Sequence, residues 1–299
     1  MSEWLISLEG TDAGRQLALF LAILAAFLHA LFGAMQKGQF DPYTSRTAID
    51  GCYALIALPF ALFAVPWPEA EVWPLFAIAW VIHVGYKLSQ ASAYSAGAYT
   101  VVYPVVRGTG PVLTVLGAGI LFGETFAAVQ WLGVSMLAAG ILGLAVYNLR
   151  NITMDRAKLP LALGLAVMTG GFVALYTTWD AFVIRATANP LTFIAWFFLI
   201  DGLAFPIVYL ARHRGRLPEP VGPLLRLGFS GALIAFFSFG GIMLATRLDK
   251  VGEAAVLRET SVVFAALIAW IFWGERVGPR RLSLMALIAF GAVVVEWGG

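Results

Sequence analysis

The sequence predicts an all-α membrane protein whose ten transmembrane helices form two inverted five-helix repeats around a central cavity. Three observations support this fold class: the composition, the recurrence of apolar runs, and an internal repeat. Of the 299 residues, 61% are hydrophobic and only 12% are charged. Soluble domains carry about 25% charged residues. We therefore expect lipid, rather than water, to surround most of the protein.

Apolar runs of spanning length recur along the whole chain and are separated by short polar breaks. A helix needs about 20 apolar residues to cross the hydrocarbon core. Strands are not predicted, because the runs lack the alternating polar residues of a membrane barrel. We place the spans at residues 17–36, 44–65, 74–94, 98–122, 127–147, 159–180, 191–211, 223–246, 251–273 and 280–297. The remaining loops are too short to contain a soluble catalytic domain.

The charges outside the spans predict how the chain enters the membrane. Glu3, Glu9 and Asp12 precede the first long apolar run, unlike the basic start of a secretory signal. Lysine and arginine are concentrated in the breaks after the odd-numbered spans, which places those breaks in the cytoplasm and both termini outside. We expect a multi-pass protein of the cell inner membrane.

The two halves of the chain are related by an internal repeat. A shift of 151 residues aligns Arg107 with Arg258 and the pair Gly123-Glu124 with Gly274-Glu275. Chance similarity between apolar helices explains leucine over isoleucine, but not a Gly-Glu pair and an arginine in one register. We expect one five-helix repeat in residues 1–150 and a second in residues 151–299. Because five is odd, the second repeat enters inverted, an arrangement typical of secondary transporters with a substrate site at the repeat interface.

Several motifs resemble those of a known family. The stretch Tyr-Pro-Val-Val-Arg-Gly-Thr-Gly-Pro at 103–111, Leu-Phe-Gly-Glu at 121–124 and Ile-Phe-Trp-Gly-Glu at 271–275 are similar to the drug/metabolite transporter superfamily, EamA type. The whole chain is most similar to bacterial exporters of aromatic amino acids and methyl viologen. The resemblance implies a basket-shaped carrier whose cavity is lined mainly by spans 1, 3, 4, 6, 8 and 9. Ala255 and Val262 depart from the motif, since the first half has prolines at these positions.

Span 3 contains a polar stripe that predicts substrate-binding residues. His83, Tyr86, Lys87 and Gln90 follow a spacing of i, i+3, i+4 and i+7, which places them on one face of a helix. A lysine at the bilayer centre costs about 2.5–3.5 kcal/mol on insertion scales, so the stripe is expected to face a wet cavity. The alternative is that Lys87 and Gln90 lie at the membrane end of the span.

Side chains on four other spans complete the predicted substrate site. Span 8 presents an apolar face opposite the polar stripe, and such a pair of walls suits an amphipathic solute such as an aromatic or aliphatic amino acid. Trp179 is either a ring platform for the substrate or an interface anchor. The predicted contacts beyond span 3 are His29, Tyr99, Tyr103, Trp179 and Phe237.

Spans 4 and 9 supply predicted structural or gating residues. If a pseudo-twofold axis relates the halves, Arg107 and Glu259 are expected to pair near it, with Arg258 beside them. The alternative is that Arg107 holds a substrate carboxylate. Pro104 removes one backbone hydrogen bond from span 4 and is the predicted hinge.

Four acidic residues near the spans have predicted roles. Asp50 and Asp201 are candidate proton carriers, because desolvation favours the protonated form of a carboxyl group. The alternative for both is a helix-end or paired acid. Glu124 and Glu275 are expected to cap spans 5 and 10.

These features predict a secondary transporter that exports small amphipathic solutes by alternating access. Amino acids, aromatic and other neutral ones, are the expected substrates, with organic cations as a further class. The alternatives are an exporter of a metabolite or drug that is not an amino acid, and a passive channel. The sequence has no HExxH, GxSxG or Walker A motif, so we predict no catalytic residue, cofactor or metal. We expect lipid and a small-molecule substrate as partners, no nucleic acid, and a monomer with a dimer as the alternative.

Overall fold

The computed structural model describes residues 2–35, 40–97, 99–151, 157–216, 220–273 and 278–299, and excludes the side chains of Pro42, Tyr99, Thr100, Asn151, Ala269 and Trp273. These residues form α-helices and short helical turns, with no strand among them. The helices are α1 Ser2–Ser7, α2 Asp12–Met35, α3 Pro42–Pro59, α4 Trp73–Ala96, α5 Tyr99–Phe122, α6 Ala128–Asn151, α7 Leu159–Ala186, α8 Pro190–Asp201, α9 Ala204–Arg212, α10 Val221–Leu248, α11 Val251–Arg258, α12 Ser261–Trp273 and α13 Pro279–Trp297.

Nine segments in the described part of the chain are long and apolar enough to cross a membrane. They correspond to the first nine predicted spans. The tenth, α13, does not qualify because Arg280, Arg281 and Glu296 all lie within its 19 residues. Large apolar side chains such as Phe63 and Ile120 are more than four-fifths exposed on the outer surface, where lipid is the natural solvent. The protein is therefore a multi-pass membrane protein.

The sequence analysis expected spans 7 and 9 to be continuous helices, but each of them is interrupted. Span 7 is interrupted after Asp201, because Pro206 has no N–H to bond to the carbonyl of Gly202. Span 9 is interrupted at Glu259 and Thr260 by a tight turn, in which the N–H of Val262 donates to the carbonyl of Glu259 at 3.1 Å. Interrupted helices in transporters commonly lie at binding sites.

Span 4 is not interrupted at Pro104, and the hinge role of this residue stays a prediction. Helix α5 is α-helical from Tyr99 to Phe122, through both Pro104 and Pro111. The interrupted span is instead span 9, which has Ala255 and Val262 at the aligned positions. The Thr260 hydroxyl donates to the carbonyl of Leu257 at 2.7 Å and so competes with the helical backbone there.

Helices of the two halves pack against each other in pairs, and each of the following pairs has a counterpart at the equivalent spans. Span 1 (α2) packs on span 8 (α10), and span 6 (α7) packs on span 3 (α4). Span 4 (α5) packs on span 6, and span 9 (α11 and α12) packs on span 1. The last helices of the two halves, α6 and α13, cross closely at Gly133 and Gly291, where an added Cβ on either would lie 2.7 Å from the carbonyl oxygen of the other.

Capping connects helices that are distant in the chain. The Glu124 carboxylate accepts hydrogen bonds from the N–H groups of Val251 at 2.7 Å and Gly252 at 3.0 Å. The prediction that Glu124 caps span 5 was therefore wrong, since it caps the first turn of α11 in the other half. Glu275 lies outside the described residues.

The N-cap of α3 is Asp41, at the entrance to span 2. Its carboxylate accepts from the N–H groups of Tyr43 and Thr44. Burial alone raises the pKa of Asp41, but the hydrogen bonds from Thr44 and Tyr43 outweigh it and hold the pKa below its usual value. This cap fixes the start of the helix that carries Asp50.

Candidate functional site

The centre of the protein contains a buried ionic cluster, which we call the Lys87 cluster. The Lys87 ammonium on α4 lies 2.6 Å from Asp50 Oδ2 on α3 and 2.8 Å from Asp201 Oδ2 at the end of α8. It also donates to the Tyr53 hydroxyl at 3.0 Å and to the backbone carbonyl of Asp201 at 3.2 Å. Tyr53 in turn donates to the Asp201 carboxylate. The cluster is completed by Arg46, whose Nε lies 2.7 Å from Asp50 Oδ1.

The Lys87 cluster joins three spans through charges that compensate each other. Lys87, Asp50 and Asp201 are each at most 3% exposed, so none of them lies at an open membrane end. Buried charges of this kind are tolerated only when they are paired. The geometry makes Asp50 and Asp201 paired acids, which was the alternative to the proton-carrier role in the sequence analysis.

A second polar contact connects span 3 to span 6. His83 Nε2 lies 2.8 Å from Asp180 Oδ2. The imidazole ring is held between the rings of Tyr176 and Phe197, with both centroids 4.7 Å away. The contact therefore places a titratable pair inside an aromatic layer.

Tyr86 and Gln90 extend this layer along α4. Gln90 Nε2 donates to the Tyr86 hydroxyl at 2.6 Å, and the Tyr86 ring lies edge-on to Tyr176 with centroids 4.9 Å apart. The stripe predicted on span 3 thus faces the protein interior throughout. It contacts α3, α7 and α8, and it does not face lipid.

The two halves meet at an ion pair between spans 4 and 9. Arg107 Nε lies 2.7 Å from Glu259 Oε2, and Arg107 Nη2 donates to the Ser261 hydroxyl at 3.0 Å. This is the pairing that the internal repeat led us to expect. Arg258 Nε lies 4.0 Å from Glu259 Oε1, so one carboxylate stands between two guanidinium groups. The pair lies at the interruption of span 9.

Two small cavities adjoin these groups. The first cavity is lined by Arg46, Ile49, Tyr53, His83, Tyr86, Phe197, Phe198, Asp201, Ala235 and Phe239. The second cavity is lined by Tyr176, Thr177, Asp180, Phe239, Ile242, Met243, Thr246 and Arg258. Each holds about 10 Å³, which is the space of one water molecule. Neither of these two cavities has room for an amino acid in this conformation, and Phe239 lines both of them.

Four of the predicted contacts outside span 3 do not line either cavity. Phe237 is 60% exposed on the outer face of α10, so the prediction placed the site on the wrong face of span 8. Trp179 donates from Nε1 to the carbonyl of Leu75 at 3.1 Å, which makes it an interhelical contact. The His29 ring packs against Phe239 at 5.9 Å, and the Tyr103 ring lies below Arg107 at 5.9 Å. The Tyr99 side chain lies outside the described atoms.

The predicted site residues did not include Arg46, Tyr53 or Phe239. Arg46, Asp50 and Tyr53 are spaced i, i+4 and i+7 on span 2, the same periodicity that identified the stripe on span 3. That signal was available but was not applied to span 2. Phe239 is one of three phenylalanines at 236, 237 and 239, and periodicity does not distinguish which of them faces inward. Among the described residues, no group of three or more histidine, cysteine, aspartate or glutamate side chains is arranged to hold a metal ion.

The interruption of span 7 fits against the Lys87 cluster only because residue 202 is glycine. A Cβ there would lie 2.6 Å from the carbonyl oxygen of Asp50 and 2.7 Å from the Tyr53 ring. We expect Gly202→Ala to force α8 away from α3 and to destabilise the protein by about 1–3 kcal/mol, as overpacking does. The measurement is thermal unfolding in detergent. Gly164→Ala on α7 is the matched control, because a Cβ there meets no atom within 4 Å. Equal stability of the two variants would contradict this account of the contact.

The sequence and the fold of this chain can be compared with those of known proteins. Residues 160–297 match the EamA-like transporter family. The second half of the chain therefore contains an EamA-like domain, from a family of transporters within the drug/metabolite superfamily. The domain includes Asp180, Asp201, Arg258 and Glu259, and so contributes to the contacts with His83, Lys87 and Arg107.

The fold is shared with proteins of known structure. One crystal structure superimposes with a TM-score of 0.72 and 20% sequence identity, covering 95% of this chain and 96% of its own. At that identity the likeness establishes the fold alone. A comparison with curated protein sequences found no match. The EamA-like domain and the nine apolar segments together indicate a membrane transporter of small solutes.

Proposed function

We propose that this protein is a secondary transporter that exports small amphipathic solutes, chiefly neutral and aromatic amino acids, by alternating access. One observation carries the proposal: buried groups of both charge signs adjoin two aromatic-lined cavities, the first between spans of both halves and the second among spans 6, 8 and 9. Asp180 and Arg258 both line the second cavity, and Phe239 lines both cavities. A solute with an ammonium group, a carboxylate and an apolar side chain complements such a lining.

The packing of the spans supports two inverted repeats. An inverted repeat relates the contact of spans 1 and 8 to that of spans 6 and 3, and it relates the contact of spans 4 and 6 to that of spans 9 and 1. Both equivalences occur. The pair Arg107–Glu259 also joins equivalent spans of the two halves, as expected for residues near a pseudo-twofold axis. Export, rather than uptake, rests on the sequence resemblance.

The small volume of the two cavities favours a carrier over a passive channel. A channel needs a continuous water-filled path with selective sites along it. Here the space beside the ionic groups is about 10 Å³ in each cavity, smaller than an amino acid. A solute can reach these groups only if helices move, which is what alternating access requires.

Counterflow in proteoliposomes tests the proposal. Vesicles loaded with unlabelled phenylalanine, leucine or methyl viologen are diluted into the same labelled solute, with protein-free liposomes as the control. A carrier for that solute gives a transient accumulation of label. A channel gives only equilibration. The absence of accumulation for every amino acid in the panel would contradict the proposed substrate class.

Substitution of the aromatic layer should change substrate selectivity. We expect His83→Ala and Tyr86→Ala to alter the ratio of aromatic to aliphatic amino acid transport by about tenfold, because both side chains line the first cavity beside Phe197 and Phe198. Competition by unlabelled amino acids in the counterflow assay measures this ratio. Folded yield is followed by size-exclusion chromatography. Unchanged ratios in both folded variants would mean that the first cavity is not part of the substrate path.

A further inference from the structure

We propose that the second cavity binds the two charged groups of a zwitterionic solute, with the ammonium on Asp180 and Thr177 and the carboxylate on Arg258. The inference rests on the proposed transport function and specifies its substrate class: α-amino acids with an apolar side chain. It moves the charge-recognition site from the stripe on span 3 to the facing surfaces of α7 and α11.

Three polar atoms of residues that line this cavity make no hydrogen bond within the described part of the chain. They are Asp180 Oδ1, Thr177 Oγ1 and Arg258 Nε. The three residues are at most 5% exposed, and all of them line the second cavity. Buried polar atoms are nearly always hydrogen-bonded, so three unpaired ones around one space indicate a site that a ligand completes.

Asp180 and Arg258 are oriented by contacts through their other polar atoms. Asp180 uses its other oxygen, Oδ2, for His83 at 2.8 Å. Arg258 Nη2 donates to the Tyr176 hydroxyl at 3.3 Å, and its guanidinium lies 5.8 Å from the centroid of the Tyr176 ring. Glu259 Oε1 is 4.0 Å from Arg258 Nε, beyond hydrogen-bond distance. By contrast, the Lys87 ammonium already contacts four oxygen atoms and has no donor to spare.

The unpaired atoms match the two ends of an amino acid. An ammonium group donates, and both Asp180 Oδ1 and the Thr177 hydroxyl oxygen can accept. A carboxylate accepts, and the Arg258 Nε–H can donate to it in a charge-assisted hydrogen bond. The remaining lining includes Phe239, Ile242 and Met243, which provide an apolar surface for the solute's side chain.

Phe239 connects this site to the rest of the interior. Its side chain lines both cavities, and the first cavity beyond it is lined by Phe197 and Phe198. Since the second cavity has the volume of one water molecule, an amino acid fits only when this wall moves. Displacement of the Phe239 ring would join the charged site to the first cavity, whose phenylalanine rings provide an apolar surface for a phenylalanine or leucine side chain.

The first arm of the test uses the unmodified protein and matched analogues. Purified protein is titrated with phenylalanine, 2-phenylethylamine, which lacks the carboxylate, and 3-phenylpropionate, which lacks the ammonium. Binding is measured by calorimetry and by competition in counterflow. We expect each analogue to bind about tenfold to hundredfold more weakly than phenylalanine, as for the loss of a charged hydrogen bond. Equal binding of all three would overturn the zwitterion site.

The second arm uses two adjacent threonines. Thr177→Val removes the unpaired hydroxyl while keeping the shape, and we expect it to weaken phenylalanine binding about threefold to tenfold. It should leave 3-phenylpropionate binding unchanged, because that ligand has no ammonium. Thr178→Val is the control, since its hydroxyl donates to the carbonyl of Ala174 at 2.8 Å and Thr178 is not among the residues lining the second cavity.

A third variant tests the end of the site that is proposed to bind the carboxylate. Arg258→Gln should weaken phenylalanine binding about tenfold or more while leaving 2-phenylethylamine unaffected. If this variant does not fold, Thr177→Val still decides the outcome. Absence of amino acid counterflow in the unmodified protein would contradict the proposed function. Normal counterflow together with equal phenylalanine affinity in Thr177→Val and Thr178→Val would overturn the site alone.

Discussion

Replacing Lys87 with methionine is expected to destabilise the protein by about 3–5 kcal/mol, the usual cost of breaking a buried ion pair by removing one partner. The substitution leaves Asp201 with the Tyr53 hydroxyl as its remaining hydrogen-bond donor described above. Asp50 keeps its contact with Arg46 at 2.7 Å. Unfolding in mixed micelles, followed by circular dichroism, measures the change in free energy.

A second substitution tests whether the uncompensated charge of Asp201 causes the loss of stability in Lys87→Met. Lys87→Met combined with Asp201→Asn should recover part of the lost stability, because it removes the carboxylate that lysine had neutralised. Lys250→Met is the matched control: the Lys250 side chain is 38% exposed in its pair with Glu253, so about 0–1 kcal/mol is expected. Equal losses for Lys87→Met and Lys250→Met would refute the role given to the Lys87 cluster.

Glu259→Gln is expected to have a comparable effect, about 3–5 kcal/mol, because it leaves two buried guanidinium groups without their carboxylate. Arg107 lies 2.7 Å from Glu259 and Arg258 lies 4.0 Å from it. The loss should be concentrated at the interruption of span 9, where amide hydrogen exchange of α11 and α12 is expected to increase. Global unfolding and hydrogen exchange measure the two effects separately.

A double-mutant cycle tests whether Arg107 is the energetic partner of Glu259. Combining Glu259→Gln with Arg107→Gln should cost less than the sum of the single substitutions, by about 0.5–3 kcal/mol. Glu9→Gln provides the control, since Glu9 pairs with Arg247 at 2.6 Å but its side chain is 37% exposed. Strict additivity of the Arg107 and Glu259 effects would show that the two residues are not coupled across the halves.

The interrupted spans illustrate where sequence reasoning about local structure fails in this protein. Pro104 led us to predict a hinge in span 4, whereas the helix interruption lies in span 9, which has alanine at the aligned position. Helix breaks inside a membrane protein depend on which groups can satisfy the freed backbone atoms. In span 9 a threonine hydroxyl and a tight turn do so, and neither is distinctive in the sequence.

The sequence by itself determined the multi-pass helical architecture, the inward face of span 3 and the expectation that Arg107 meets Glu259. These follow from local rules: apolar length fixes the spans, helical spacing fixes which side chains share a face, and a repeat relates positions in two halves. Only the tertiary structure decided which residues the charged side chains contact. Lys87 contacts Asp50 and Asp201, and Glu124 caps α11 rather than its own neighbour.

The face of span 8 was also decided by packing. Phe237 and Phe239 are equally apolar, but Phe237 faces outward and Phe239 lies between the cavities. In lipid, apolar side chains are stable on either side of a helix, so hydrophobicity no longer distinguishes inside from outside. Polar side chains retain that information because they must find partners, which is why the inward face of span 3 could be predicted and that of span 8 could not.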